Sequence, residues 1–196
     1  MAGETRATMI RGAAQLLATK GLQGASFAEI IEHTGVPRGS IYHHFPGGKD
    51  QLIGEAIAWA GEWAIAQVRT LDGAPAEAVV AAFLGLWRQL LERGQFQAGC
   101  SVLAVTIATE APPLLEGATT VFETWHDELT RLLTHGGLEE SDASPFATLL
   151  IAASEGAVVM SRARQSFAPF DAVSEMLLAQ VRERSAAAQP HPESAT

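Results

Sequence analysis

The stretch GVPRGSIYHHFPGGKDQL, residues 35–52, places two adjacent histidines between a tyrosine and a phenylalanine, then breaks at Pro46-Gly47-Gly48 ahead of a lysine. Three chemistries use such residues: a metal pair, a phosphate-cradling loop, and a surface that reads DNA. Pro37 suits a first helical turn, and Ile41 and Phe45 fall one turn apart. The segment therefore reads as a short helix over about residues 37–45. Ile41 and Phe45 face inward, and Arg38, Gly39, Ser40, Tyr42 and His43 lie around the outside. On that helix His43 and His44 point about 100° apart and cannot grip one ion. Gly48-Lys49 fails the G-x-x-x-x-G-K-[ST] pattern, because His43 stands where its first glycine belongs and Asp50 follows the lysine. DNA reading remains.

Upstream, Ser26-Phe27-Ala28-Glu29 has the form of a capping box. The Ser26 oxygen would take the Glu29 amide, and the Glu29 side chain would reach back. The helix so opened carries Phe27, Ile30 and Ile31 on one face and ends at Gly35, a residue free to turn left-handed. Before it, Ile10, Ala13, Ala14 and Leu17 form one stripe of a helix over about residues 5–20, closed by Gly21. Two short helices joined by a glycine-containing turn make a helix-turn-helix unit.

Downstream the helical period continues without strand-like alternation, so the fold class read is all-α. Leu52, Ala56, Trp59, Ala60 and Trp63 predict one apolar side of a fourth helix. Val79, Phe83, Leu86, Trp87 and Leu90 predict that of a fifth. A short apolar segment covers residues 101–109, and Pro112-Pro113 opens a helix that ends at Gly136-Gly137. Two more follow, one after Pro145 to about Arg164 and one after Pro169. Residues 189–196 read as a disordered polar tail.

The chain has 196 residues and a net charge of −9, which by itself argues against nucleic acid. The distribution matters more. Residues 1–50 hold five basic and four acidic side chains, so the excess of acid lies in the remainder. An acidic body bearing a near-neutral first segment can still present a local phosphate-binding face. The single cysteine, Cys100, forms no internal disulfide and suits a reducing cytoplasm. No secretory signal opens the chain. The most apolar tract, residues 147–160, falls short of the ~18 residues of a membrane span. No cofactor and no membrane are implied.

The segment SFAEIIEHTGVPRGSIYHHFPGGKDQL, residues 26–52, resembles the DNA-binding region of TetR-type transcriptional repressors. Pro46-Gly47-Gly48 puts three residues between Phe45 and Lys49 where many members have two. With Gly99-Cys100, that feature is similar to the LmrA/YxaF-like branch. The resemblance implies a helix-turn-helix domain over residues 1–50 with the third helix as recognition helix, and a helical ligand-binding and dimerisation domain over residues 51–188. Its implied partners are double-stranded operator DNA of palindromic form, a second copy of the chain, and a small apolar effector that releases the repressor. The candidate DNA contacts are Ser26, Arg38, Gly39, Ser40, Tyr42, His43 and Lys49.

Pockets are mostly apolar with a few orienting polar groups. Trp63, Phe83, Trp87, Phe122, Trp125, His126 and Glu155 are the candidate ligand-binding residues, although the aromatic spacing equally suits plain core. Small residues Ala152, Ala153, Gly156 and Ala163 would let a helix approach a second copy closely. A rival reading makes the chain a helical metal-carboxylate enzyme using Glu123, His126 and Glu155, with Glu110 as a further ligand. The i, i+3 pair Glu123/His126 would need a second copy in the sequence, and none is found. Ala152-Ala153-Ser154-Glu155-Gly156 approaches a nucleophile elbow but has no strand before it. No catalytic residue is assigned.

Overall fold

The computed structural model describes residues 2–187, which are helical with no strand among them. The helices run α1 Ala2–Lys20, α2 Phe27–Thr34, α3 Arg38–His44, α4 Gly48–Arg69, α5 Ala76–Arg93, α6 Ser101–Thr106, α7 Pro112–His135, α8 Glu140–Arg164 and α9 Ala168–Ala187. The tail expected over residues 189–196 lies outside the described residues. The described residues form two compact units, one of those up to 64 with 97–124, the other of 65–96 with those from 125 on. Helices α4 and α7 each contribute to both.

In the first unit α1 packs on α2, α3 and α6, and α2 packs on α3. Met9, Ala13, Leu16 and Leu17 of α1 are buried, with Ile10 at the edge of the stripe. The approach of α2 is close: a Cβ on Gly12 would stand 2.2 Å from Thr34 Cγ2. The left-handed stops at Gly21 and Gly35 are as the sequence implies, with φ of 70° and 68°. The capping box is half formed. Ser26 Oγ accepts the Glu29 N–H at 3.2 Å, but the Glu29 carboxylate turns to Lys20 Nζ at 2.5 Å. That pairing holds the Lys20 ammonium above its ordinary range through the hydrogen bond. An intact charge pair replaces the back half of the cap.

The side of α4 differs from the one read in the sequence. Leu52, Ile53, Ala56, Ile57, Ile65 and Val68 are buried, whereas Trp59 and Trp63 are exposed. Packing selects the aliphatic face that carries no indole. The seam between α4 and α7 is lined by Gly54 against Leu114, Gly117 against Ile57 and Gly61 against Val121, and a Cβ on Gly61 would stand 2.4 Å from Val121 Cγ1. Two indoles do not fit so close a seam, so the helix turns them outward.

In the second unit α8 and α9 lie along each other and α5 packs on both. Phe83, Trp87, Trp125, Phe146, Leu150, Phe170 and Leu177 are buried. Helix α8 starts at Glu140, earlier than expected. Glu140 and Asp142 in its first turn suit the helix dipole, and Pro145 is carried inside at the loss of one backbone hydrogen bond. By length and composition α8 is apolar enough to cross a membrane, and half of that stretch is buried within the protein. Met176 of α9 is exposed. Charged pairs tie the unit's surface, among them Arg182 with Glu77 and Arg184 with Asp142.

Candidate nucleic-acid interface

Helix α3 divides its residues between the core and solvent. Ile41 and Phe45, at its C-cap, are buried, while Arg38, Gly39, Tyr42 and His43 are exposed. Ser40 is partly covered and donates its hydroxyl proton to Pro37 O at 2.6 Å, leaving lone pairs free. Tyr42 is 65 % exposed, yet its ring is held edge-on to Phe27 with centroids 5.5 Å apart. The hydroxyl is thus carried outward on a fixed ring. The His43 and His44 rings lie 5.3 Å apart and edge-on, with no shared third ligand among the described residues.

The flanking candidates come from helix starts. Ser26 is the N-cap of α2, its hydroxyl oxygen occupied by the Glu29 amide. Lys49 stands in the first turn of α4 and is partly buried, and its ammonium donates to Leu22 O at 3.1 Å, so two of its three protons remain. These side chains belong to one compact unit, and hydroxyl and basic groups around a short exposed helix are the means by which proteins hold phosphates while reading bases.

A set of groups that sequence reading did not single out closes the turn after α3. Gly47 N–H donates to Gln51 Oε1 at 2.9 Å, and Gln51 Nε2 donates to Glu55 Oε1 at 3.0 Å. Glu55 Oε2 pairs with Arg6 Nη2, and the Arg6 guanidinium lies over the Phe45 ring at 5.1 Å. The i, i+4 spacing of positions 47, 51 and 55 was available in the sequence; the return to Arg6 on α1 was not.

The candidate ligand residues fall in both units. Trp63, 49 % exposed, and half-buried Phe122 belong to the first. In the second, Phe83, Trp87 and Trp125 form a triangle of edge-on rings with centroids 5.9 to 6.1 Å apart. Trp87 Nε1 is buried there with no acceptor among the described residues. His126 is within hydrogen-bond distance of Ser144 O at 3.2 Å and of Asp127 Oδ1 at 3.1 Å. Glu155, a further candidate ligand residue, is buried. Cys100 is buried in the first unit and caps α6, its sulfur accepting the Leu103 N–H at 3.4 Å.

Among the described residues no three His, Cys, Asp or Glu side chains gather as a metal centre, and the elbow-like segment 152–156 lies within α8. Comparison with known proteins agrees with the geometry of α3. Residues 9–56 match the family of bacterial regulatory proteins of the tetR family, and residues 75–176 match the C-terminal domain of LmrA/YxaF-like transcriptional regulators. An HTH-type transcriptional regulator of Mycobacterium tuberculosis is 32 % identical over 92 % of this chain and 97 % of its own. The HTH-type transcriptional regulator LmrA of Bacillus subtilis is 28 % identical, over 89 % of this chain and 95 % of its own. The crystal structure of a TetR transcriptional regulator from Chloroflexus aurantiacus superimposes with a TM-score of 0.76 at 28 % identity, covering 93 % of this chain and 96 % of that one. These relatives are regulators rather than enzymes, which removes the metal-carboxylate reading. The exposed face of α3, the two matched regions and the near full-length relatives lead to one conclusion: the chain belongs to the TetR family of DNA-binding transcriptional regulators, in its LmrA/YxaF-like branch.

Proposed function

We infer that the protein is a cytoplasmic repressor. As a homodimer it sets two α3 helices into successive major grooves of a partly palindromic operator, and a small apolar ligand releases it. The observation that carries the reading is the division of α3, with Ile41 and Phe45 anchored inside and Arg38, Gly39, Tyr42 and His43 presented outside. Arg38, Gly39 and Ser40, at the leading end, face bases; Ser26, Tyr42, His43 and Lys49 hold phosphates. Residues 1–50 act as the DNA-binding domain and residues 51–188 as the ligand-binding and dimerisation domain.

Dimerisation is supported by α8, whose outer side exposes Leu149, Ala152, Gly156, Val159, Met160 and Ala163 as a continuous stripe of small and apolar groups. An apolar stripe on a helix already packed on its other side is a surface for a second helix. Two-fold proteins match two-fold DNA sites. Ligand binding is supported in the second unit by the Phe83, Trp87 and Trp125 rings, with the Trp87 indole N–H as a donor and His126 and Glu155 as orienting groups. Trp63 and Phe122 are further candidates, to be tested one by one.

Selection of bound duplexes from random sequence tests the reading. It should return an inverted repeat whose half-sites are about one helical turn, or a multiple of it, apart. Recovery of unrelated or non-repeated sequences would remove the dimeric operator. A screen for apolar compounds that lower operator affinity, read together with tryptophan fluorescence, then tests release. By linkage, operator DNA must weaken binding of the same compound by the same factor.

A further inference from the structure

We propose that Arg6 is a positioning residue for operator recognition, fixing the turn between α3 and α4 through a closed ring of contacts formed by Gly47, Gln51, Glu55, Arg6 and Phe45. The proposal rests on the DNA-binding role of the family and adds a residue that faces neither base nor phosphate.

The need for such a ring follows from the turn itself. Phe45 ends α3 with its N–H on Ile41 O, and Gly48 N–H returns to Phe45 O at 3.0 Å while Gly48 holds φ at +82°. Pro46-Gly47-Gly48 thus joins recognition helix to α4 through two glycines, the residues with most conformational freedom to lose. Left alone, the turn would let α3 swivel about Phe45.

The ring removes that freedom in three steps. Gln51 reaches back one turn to the Gly47 N–H, filling the role of the distal half of a capping box at the start of α4. A Cβ at position 47 would stand 3.0 Å from Gln51 Oε1 and 3.3 Å from its Cβ, so the glycine is what lets the amide approach. Gln51 in turn donates to Glu55 one turn on. Glu55 then holds Arg6 of α1, whose planar guanidinium lies over Phe45, the residue at which the turn begins. Recognition-helix end, turn, α4 and α1 become one body.

The partial exposure of both charged partners, 38 % for the Arg6 side chain and 30 % for that of Glu55, makes their pairing weak as a source of stability. Its effect is on orientation. A swivel of α3 costs base contacts at the operator and leaves non-specific phosphate contacts in place.

The test uses the full chain, an operator duplex obtained by selection, and a scrambled duplex of equal length, titrated over a salt series. The variants are Arg6→Ala, Arg6→Lys, Glu55→Gln and the double variant Arg6→Ala/Glu55→Gln. Glu55→Gln keeps an acceptor for Gln51 and removes only the charge that holds Arg6. Each of Arg6→Ala and Glu55→Gln should lower operator affinity on the order of tenfold, and the double variant should be no worse than either, as coupled residues behave. Affinity for the scrambled duplex and the salt slope should not move. Arg6→Lys, which keeps the charge but not the planar stack, should fall between wild type and Arg6→Ala. Two results overturn the proposal. If Arg6→Ala weakens both duplexes and lowers the salt slope by about 1 while Glu55→Gln does neither, Arg6 is a phosphate contact. If the variants melt earlier but the folded proteins keep full operator affinity, the ring is structural only. Should Arg6→Ala not fold, Glu55→Gln and Arg6→Lys still decide. A wild-type chain that selects no DNA is a different failure, that of the DNA-binding role.

Discussion

The ammonium of Lys49, in the first turn of α4, donates to the carbonyl oxygen of Leu22 between α1 and α2 across 3.1 Å. The contact ties the turn at Leu22 to α4 and leaves the ammonium two further protons for the phosphate proposed for it. Lys49→Ala should weaken binding to all sequences alike and reduce the salt slope by about 1. Thermal melting should fall slightly as well, because the Leu22 carbonyl loses its donor. An unchanged slope with a lowered melting temperature would leave Lys49 the structural duty alone.

The roles proposed for Tyr42 and Arg38 separate phosphate holding from base reading. The Tyr42 ring is placed by Phe27, so Tyr42→Phe removes a hydroxyl without moving the ring. Operator and scrambled DNA should lose affinity by similar factors, with stability unchanged. Arg38, exposed at the first position of α3, should behave otherwise. Arg38→Ala should relax preference at one position per half-site at a cost of about 1–3 kcal/mol. Uniform weakening in a binding-site selection would move Arg38 to the phosphate class.

Gly156 offers a clean test of assembly because a Cβ there meets nothing within 4 Å in the single chain. Leucine at this exposed helical position should stabilise the folded chain by about 1 kcal/mol, since glycine is a poor helix former. In the proposed dimer the same side chain would push against the helix of the second copy. Gly156→Leu should therefore give a stable monomer by light scattering, with operator affinity lowered by loss of the second half-site. Dimers of normal stability would place the interface elsewhere.

Gly61 is the opposite case. A methyl group there overlaps Val121 Cγ1 at 2.4 Å, so Gly61→Ala should destabilise the protein by about 1–3 kcal/mol despite its better helix propensity. Adding Val121→Ala should recover part of the loss in chemical denaturation. Equal damage in single and double variants would deny that the seam at this point is set by volume.

Acid stability should depend in part on the turn after α4. Asp72 accepts from His135 Nδ1 at 2.8 Å and from Arg131 Nη1 at 2.9 Å, and Arg131 also pairs with Glu128, which holds Arg69. The hydrogen bond from His135 and then that from Arg131 hold the Asp72 carboxyl below the usual carboxylate range, and the Arg131 guanidinium is correspondingly raised. A depressed carboxyl adds stability above its unfolded-state pKa, and the addition is lost as pH falls through the folded value. Asp72→Asn should lower the melting temperature at neutral pH and leave it nearly unchanged well below the carboxylate range. The difference should shrink with salt, because the group is exposed. A deficit that persists undiminished in acid would assign the effect to lost packing.

Much of this protein was legible in its sequence, because the signals there are local. Gly21 and Gly35 mark left-handed stops, Ser26 marks a cap and Ile41/Phe45 mark an anchored face, and each of these is decided within a turn or two of chain. The short helix α3 follows from them, as does the all-helical class. What a helix turns inward is another matter. Trp59 and Trp63 share a stripe with Leu52 and Ala56 by spacing, yet the seam of Gly54, Gly61 and Gly117 chose the other edge of α4, and only the facing helix could make that choice. Glu29 likewise had two partners in reach, its own helix start and Lys20, and the packing of α1 on α2 delivered the second. Arg6 is the furthest case. Gly47, just ahead of α4, falls in i, i+4 register with Gln51 and Glu55 of α4 by period alone, but the cation that completes them comes from the start of the chain, and periodicity carries no information about which distant residue folding will bring back.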